Sequence, residues 1–132
     1  MKIGVIGYRR HAGKHIKILK NKYLDAQLVI YHPNYISNNI TNVFSDLLLC
    51  DCLIISSPTN THIAYVRNLV ENKFAGKVYL EKPGFDSIEE SYELEKLQFS
   101  SNLDIACFKT SLEAAVSVAN DRGRFIKSVA PY

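Results

Sequence analysis

Lys82 lies between Glu81 and Pro83, immediately after the apolar run Lys77 to Leu80. The proline disfavours helical geometry at the residue before it, so Lys82 is expected to be held extended. A lysine held that way can donate to a hydroxyl or carbonyl oxygen, and lysines partly withdrawn from water serve in acid–base chemistry. The plainer reading is a solvated lysine at the end of a strand. A second cluster, Ser57-Pro58-Thr59-Asn60-Thr61-His62, follows the apolar run Cys52 to Ser56. Thr59, Asn60 and Thr61 offer donors and acceptors where a helical pattern begins, and His62 falls in its first turn. Thr61 reads equally well as a helix cap, and His62 as a packed first-turn histidine.

A third cluster opens the chain. Lys2 to Gly7 carries no polar residue after Lys2 and runs into Gly7-Tyr8-Arg9-Arg10-His11-Ala12-Gly13, followed by helical periodicity. This is the setting of a pyrophosphate loop, in which backbone N–H groups at a helix start face the anion and glycines let it come close. Gly7 and Gly13 stand six apart instead of five, and Tyr8, Arg9 and Arg10 take the place of the central glycine of G-x-G-x-x-G. Arg9, Arg10 and Lys14 could supply side-chain charge for the lost backbone contacts. A plain strand-to-helix turn is the alternative. The next apolar run ends Ile30-Tyr31-His32-Pro33, with no carboxylate to hold ribose hydroxyls. Either a 2'-phosphate is met there by His32 or the arginines, or no dinucleotide binds in the standard way; His32 also reads as an ordinary surface histidine.

The elements that must position these clusters alternate along the whole chain. Short apolar runs and stretches of helical periodicity follow one another, the pattern of strand-helix-strand units around a parallel sheet. Strands are expected at Lys2 to Gly7, Leu28 to Tyr31, Cys52 to Ser56, Lys77 to Leu80 and Leu103 to Phe108. Ile16, Leu19 and Tyr23 make a helical stripe over Gly13 to Tyr23. The Asn- and Ser-rich stretch after Pro33 predicts a loop, a short extended piece near Val43 and Phe44, and one or two helical turns over Asp46 to Leu49. Ile63, Val66, Leu69 and Val70 set a helix that ends near Gly76. Ser87 with Glu90 three later is a capping box for a helix through about Leu97, and Ser111 to Ala119 also reads as helical. Turns that follow parallel strands lie outside the carboxyl edge of the sheet, where open α/β proteins bind ligands.

With 132 residues, 47% of them apolar, the chain can bury one core without disulfide or metal staples, and residues 1–132 read as one domain. Disorder and collagen-like structure are excluded. A formal charge of +3 with scattered Lys and Arg marks no nucleic-acid or polybasic membrane surface. Cys50, Cys52 and Cys107 are odd in number and lie in apolar surroundings, which suits reduced thiols in a cytoplasmic protein; a C-x-C pair alone makes no zinc site. The stretch Leu47 to Ile55 is broken by Asp51 and is far short of the roughly 20 residues that span a bilayer. MKIGVIG lacks the apolar segment of a signal peptide. Neither nucleic acid nor membrane is expected as a partner.

Taken together, KIGVIG at the start, Ser56-Ser57-Pro58-Thr59-Asn60-Thr61-His62 after one buried strand and Glu81-Lys82-Pro83 after the next resemble the glucose-fructose oxidoreductase / inositol dehydrogenase / rhizopine catabolism family, over residues 1 to about 108. The resemblance implies a doubly wound, Rossmann-like parallel sheet in three α/β/α layers. It implies NAD or NADP as cofactor, held by Gly7, Tyr8, Arg9, Arg10, Gly13, His32, Ser57, Pro58, Thr59, His62 and Glu81, with Lys82 catalytic on the CH–OH groups of a sugar-like or polyol substrate. Enzymes of that family continue into a second, sheet-based domain, which supplies an aspartate and a histidine beside the lysine and the oligomer interface. Here Phe108 is followed by Lys109-Thr110-Ser111, one helical pattern and the charged turn Asp121-Arg122-Gly123-Arg124. The expectation is therefore a single domain without the α+β domain, binding a dinucleotide but lacking autonomous catalysis, its uncovered face met by a homodimer or a separately encoded partner. A non-catalytic nucleotide-binding or protein-interaction module, or a truncated relic, is the reading from another class.

Overall fold

The computed structural model describes residues 1–7, 11–109 and 126–131, without the side chains of residue 11 and of residues from 107 onward. Tyr8, Arg9 and Arg10, the helical pattern Ser111 to Ala119 and the turn Asp121 to Arg124 lie outside the described residues.

The chain lays down β1 (Lys2–Ile6), α1 (His11–Lys22), β2 (Gln27–Tyr31), β3 (Ile40–Thr41), a 3-10 helix (Phe44–Leu49), β4 (Cys52–Ile55), a 3-10 turn (Thr59–Thr61), α2 (His62–Glu71), β5 (Lys77–Leu80), α3 (Ile88–Phe99), β6 (Asp104–Lys109) and β7 (Ile126–Pro131). The strands form one seven-stranded sheet in the order β3-β2-β1-β4-β5-β6-β7. Every pairing in it is parallel. The chain steps outward from β1 to β2 and β3, then returns to place β4 on the other side of β1. That reversal opens a crevice at the carboxyl ends of β1 and β4, the switch point of a doubly wound sheet.

Strand parity assigns the two faces. Ile3 and Val5 of β1 and Ile54 of β4 pack with Ala12, Ile16 and Leu19 of α1 on one side. Ile6, Leu53, Ile55, Val78, Leu80 and Ile105 pack with Ile63, Val66 and Leu69 of α2 and Leu94 of α3 on the other. Both faces are covered, which is why these strands read as continuous apolar runs rather than alternating ones. Gly4 lies in the centre of β1 because a Cβ there would come within 2.4 Å of Leu53 Cδ2.

Element boundaries depart from the sequence expectation in ways the packing explains. Helix α1 begins at His11, so Gly13 is its third residue. The short third strand is at Ile40–Thr41, not near Val43 and Phe44. Thr41 Oγ1 accepts from Val43 N (3.0 Å) and donates to Asp46 Oδ2 (2.7 Å), and this turns the chain into the 3-10 helix before Val43 can pair. Helix α2 stops at Glu71 instead of near Gly76. Lys73 adopts a left-handed φ of 58°, and Phe74 N donates back to Leu69 O while its ring enters the core. Ser87 caps α3 as expected, accepting from Glu90 N at 3.2 Å, and Glu90 reaches back to Asp86 N at 3.0 Å. Strand β7 was not expected from the sequence. Among the described residues, no helix is long and apolar enough to cross a membrane.

Candidate functional site

The turns singled out by sequence leave the sheet at one rim. Gly7 N donates to Tyr31 O, Ser56 N to Ile6 O and Glu81 N to Ile55 O, each at 2.9 Å, and His32 N to Thr41 O at 3.0 Å. Each of these residues is therefore the first beyond its strand and lies beside the end of a neighbouring strand. Residues separated by up to 74 positions in sequence are brought to a single edge.

At the crevice between β1 and β4, Gly7 has a φ of +119°, which favours glycine. A Cβ there would meet Ala12 Cβ and the Ser56 carbonyl group at 3.2 Å. Next to it, the Ser56 hydroxyl is buried and has no hydrogen-bond partner among the described residues. Buried polar atoms are normally satisfied, so this hydroxyl at the topological switch point is an exception among the described residues. Sequence reasoning passed over Ser56 in favour of Ser57; a small polar residue closing a buried strand beside Gly7 was the available signal.

The turn after β4 is self-bonded. Thr61 Oγ1 donates to Pro58 O (2.6 Å), so the 2.7 Å contact with Ser57 Oγ is a bond that the serine donates. Thr61 consequently makes no side-chain cap to α2. Pro58 is exposed at the rim, with Ser57 and Thr59 half-buried beside it. His62 opens α2 directly after this turn. It is 1% exposed, with Nε2 2.9 Å from Ser57 O and Nδ1 3.0 Å from Gly84 O. The ring is enclosed, and its nitrogens face carbonyls of the two rim turns, which it ties together.

Glu81 is 7% exposed. Its Oε2 accepts from His15 Nε2 at 2.5 Å, and its Oε1 from Lys82 N at 3.2 Å. The carboxylate thus links α1 to the turn that carries Lys82. Lys82 is half-buried, and its peptide bond to Pro83 is cis. His15 was not among the residues expected here; its partner lies 66 positions away, and nothing local signals the pair.

On the α2 side, Tyr31, Phe44 and Tyr65 form an aromatic wall. Tyr31 meets the other two rings edge-on at 5.8 and 6.1 Å, and Phe44 stacks on Tyr65 at 6.2 Å. Burial pushes both phenols above their ordinary pKa, which keeps them neutral. His32, one residue beyond β2, accepts from Asn34 N at Nδ1 (3.0 Å) and meets the Tyr35 ring edge-on at 5.0 Å. Among the described residues, no three His, Cys, Asp or Glu side chains cluster as a metal ion would need.

No protein-family model matches the chain, and no curated protein does. Solved structures do. The WlbA dehydrogenase from Bordetella pertussis, in complex with NADH and UDP-GlcNAcA, matches 93% of this chain with a TM-score of 0.69 at 20% identity. The fold is Rossmann-like. A dehydrogenase (MviM) from Clostridium difficile matches 80% of the Rossmann-like chain at 24% identity and a TM-score of 0.67. The apo scyllo-inositol dehydrogenase from Lactobacillus casei also matches 80%, at 20% identity and a TM-score of 0.65. The chain spans 42%, 38% and 35% of these three proteins, respectively.

Proposed function

We propose that this Rossmann-like domain binds NAD or NADP across the crevice between β1 and β4, as the cofactor-holding part of an oxidoreductase acting on CH–OH groups of a sugar-like or polyol substrate. The observation that carries this reading is the pairing of Gly7 with Ser56: one position where a side chain has no room, beside a buried hydroxyl that the described residues leave unbonded. Those features fit a phosphate or ribose oxygen brought close to backbone. The fold likeness to an NADH-bound sugar-nucleotide dehydrogenase and to an inositol dehydrogenase supports it.

A bound nicotinamide supplies the hydride chemistry. The chain's own residues orient and polarise. Gly7 admits the cofactor to the rim and Ser56 Oγ donates to it. Pro58 and Thr59 line the nicotinamide side of the cleft. Lys82 donates to the substrate oxygen, held in place by the Glu81 carboxylate on its backbone N–H. Free thiols at Cys50 and Cys52 accord with a cytoplasmic setting.

Thermal unfolding with and without millimolar NAD+ and NADP+ tests the reading. A ligand at about 100 times its dissociation constant adds roughly 2.7 kcal/mol of stability. No shift in Tm with either nucleotide overturns it. Where turnover of a polyol is observed, Lys82→Ala should lower kcat, and an unchanged kcat removes Lys82 from the chemistry.

A further inference from the structure

We infer that the site is selective for the 2'-phosphorylated dinucleotide, NADP(H), and that His32 reads the 2'-phosphate. This rests on the dinucleotide reading above. In a Rossmann-type sheet the adenosine ribose lies at the end of the second strand, where an acidic side chain takes the hydroxyls of NAD and a cationic or donor group takes the phosphate of NADP. His32 holds that position. It follows Tyr31, whose carbonyl receives the N–H of Gly7, so it adjoins the first turn of the crevice.

The ring presents a donor. Asn34 N–H donates to Nδ1, so that nitrogen carries a lone pair and Nε2 carries the ring proton. Nε2 has no partner among the described residues. Tyr35, edge-on at 5.0 Å, helps fix the ring plane. A donor suits phosphate oxygens, which only accept, whereas a ribose diol without phosphate is best met by a carboxylate.

Charge is distributed to match. No Asp or Glu occurs from Ala26 to Ser45, and Asp25 is the sole carboxylate among residues 1–45, which carry seven Lys and Arg. The remaining residues carry nine Lys and Arg against twelve Asp and Glu, so the basic excess lies in the first third of the chain, the part that also carries Gly7 and His32. Arg9, Arg10 and Lys14 flank the same turn in sequence. The first carboxylate past this stretch, Asp46, already receives the Thr41 hydroxyl. A 2'-phosphate carrying about −1.5 to −2 charge is favoured by such surroundings, a gain that comes on top of the pyrophosphate that NAD and NADP share.

Fluorescence titration of the chain with NADPH and NADH, with 2',5'-ADP and ADP as competitors, tests this. NADPH is expected to bind at least about tenfold more tightly than NADH, the worth of one charge-assisted hydrogen bond. 2',5'-ADP should outcompete ADP. His32→Ala should lose most of that preference by weakening NADPH alone, and His32→Asp should shift it toward NADH. Equal or tighter binding of NADH overturns the inference while leaving the dinucleotide reading standing. Loss of both affinities in parallel in His32→Ala also overturns it. If neither nucleotide binds, the reading and the inference fall together.

Discussion

His62 and Gly84 are 22 positions apart, yet the histidine Nδ1 lies 3.0 Å from the Gly84 carbonyl oxygen while Nε2 lies 2.9 Å from that of Ser57. One buried ring thereby joins the turn after β4 to the turn after β5. Carbonyl oxygens only accept and a neutral imidazole carries one N–H, so the ring donates to one of the two carbonyls at a time. His62→Ala removes the ring's hydrogen bond and opens a cavity, and should destabilise the fold by about 2 to 4 kcal/mol in urea unfolding. Nucleotide affinity should fall with it. A loss below about 0.5 kcal/mol would show that the clasp is incidental.

Ser56→Ala should separate stability from function. Removing a buried hydroxyl that has no partner among the described residues is expected to leave the free protein as stable as before, or up to about 1 kcal/mol more so. Dinucleotide affinity should drop about three- to tenfold, the worth of one net hydrogen bond. A destabilised variant with unaltered binding contradicts the role given to this serine.

Gly7→Ala meets two obstacles. The φ of +119° disfavours any L side chain, and the new methyl would crowd the Ser56 carbonyl at 3.2 Å. The expected cost is about 1 to 3 kcal/mol, read from the urea midpoint. Binding of either nucleotide should weaken as well, since the methyl stands at the crevice.

The His15–Glu81 pair is open to a double-mutant cycle. Glu81→Gln retains an acceptor for Lys82 N but removes the charge facing His15, and should cost about 1 to 3 kcal/mol. With His15→Ala as the second variant, a coupling energy above about 0.5 kcal/mol is expected from denaturation midpoints. Additive effects would argue that the two side chains do not act as a unit.

Alkaline pH should weaken the fold. Burial pushes the Cys50 thiol up to about 11 and raises Cys52 as well. Between the unfolded value of about 8.5 and pH 11, the folded chain keeps a proton that the unfolded chain releases. Stability is therefore intact below that window and declines as pH rises through it. Urea midpoints at pH 7.5 and pH 10 should differ in that direction, and less so in Cys50→Ala. Equal midpoints for the parent chain would contradict a buried, neutral thiol.

The strands were legible in the sequence because a parallel sheet covered on both faces demands unbroken apolar runs, and Lys2–Ile6, Cys52–Ile55 and Lys77–Leu80 are such runs. The turns that end them were legible too, since Gly7 permits a positive φ and Pro58 and Pro83 restrict the backbone locally. Less visible was where pairing stops. Val43 is half-exposed and Thr41 turns the chain away, and that outcome depends on a hydroxyl meeting Asp46.

By itself, then, the sequence determined the alternation of strand and helix, and with it the placing of the polar turns on the carboxyl side of a parallel sheet, because periodicity and turn chemistry act over a few residues. Tertiary structure alone decided that His62 points inward to two carbonyls, that Glu81 meets His15 across 66 positions, and that Ser56, just past its strand, has a hydroxyl left unbonded among the described residues. Those outcomes depend on the register and stacking of distant segments, and no local pattern of residues records them.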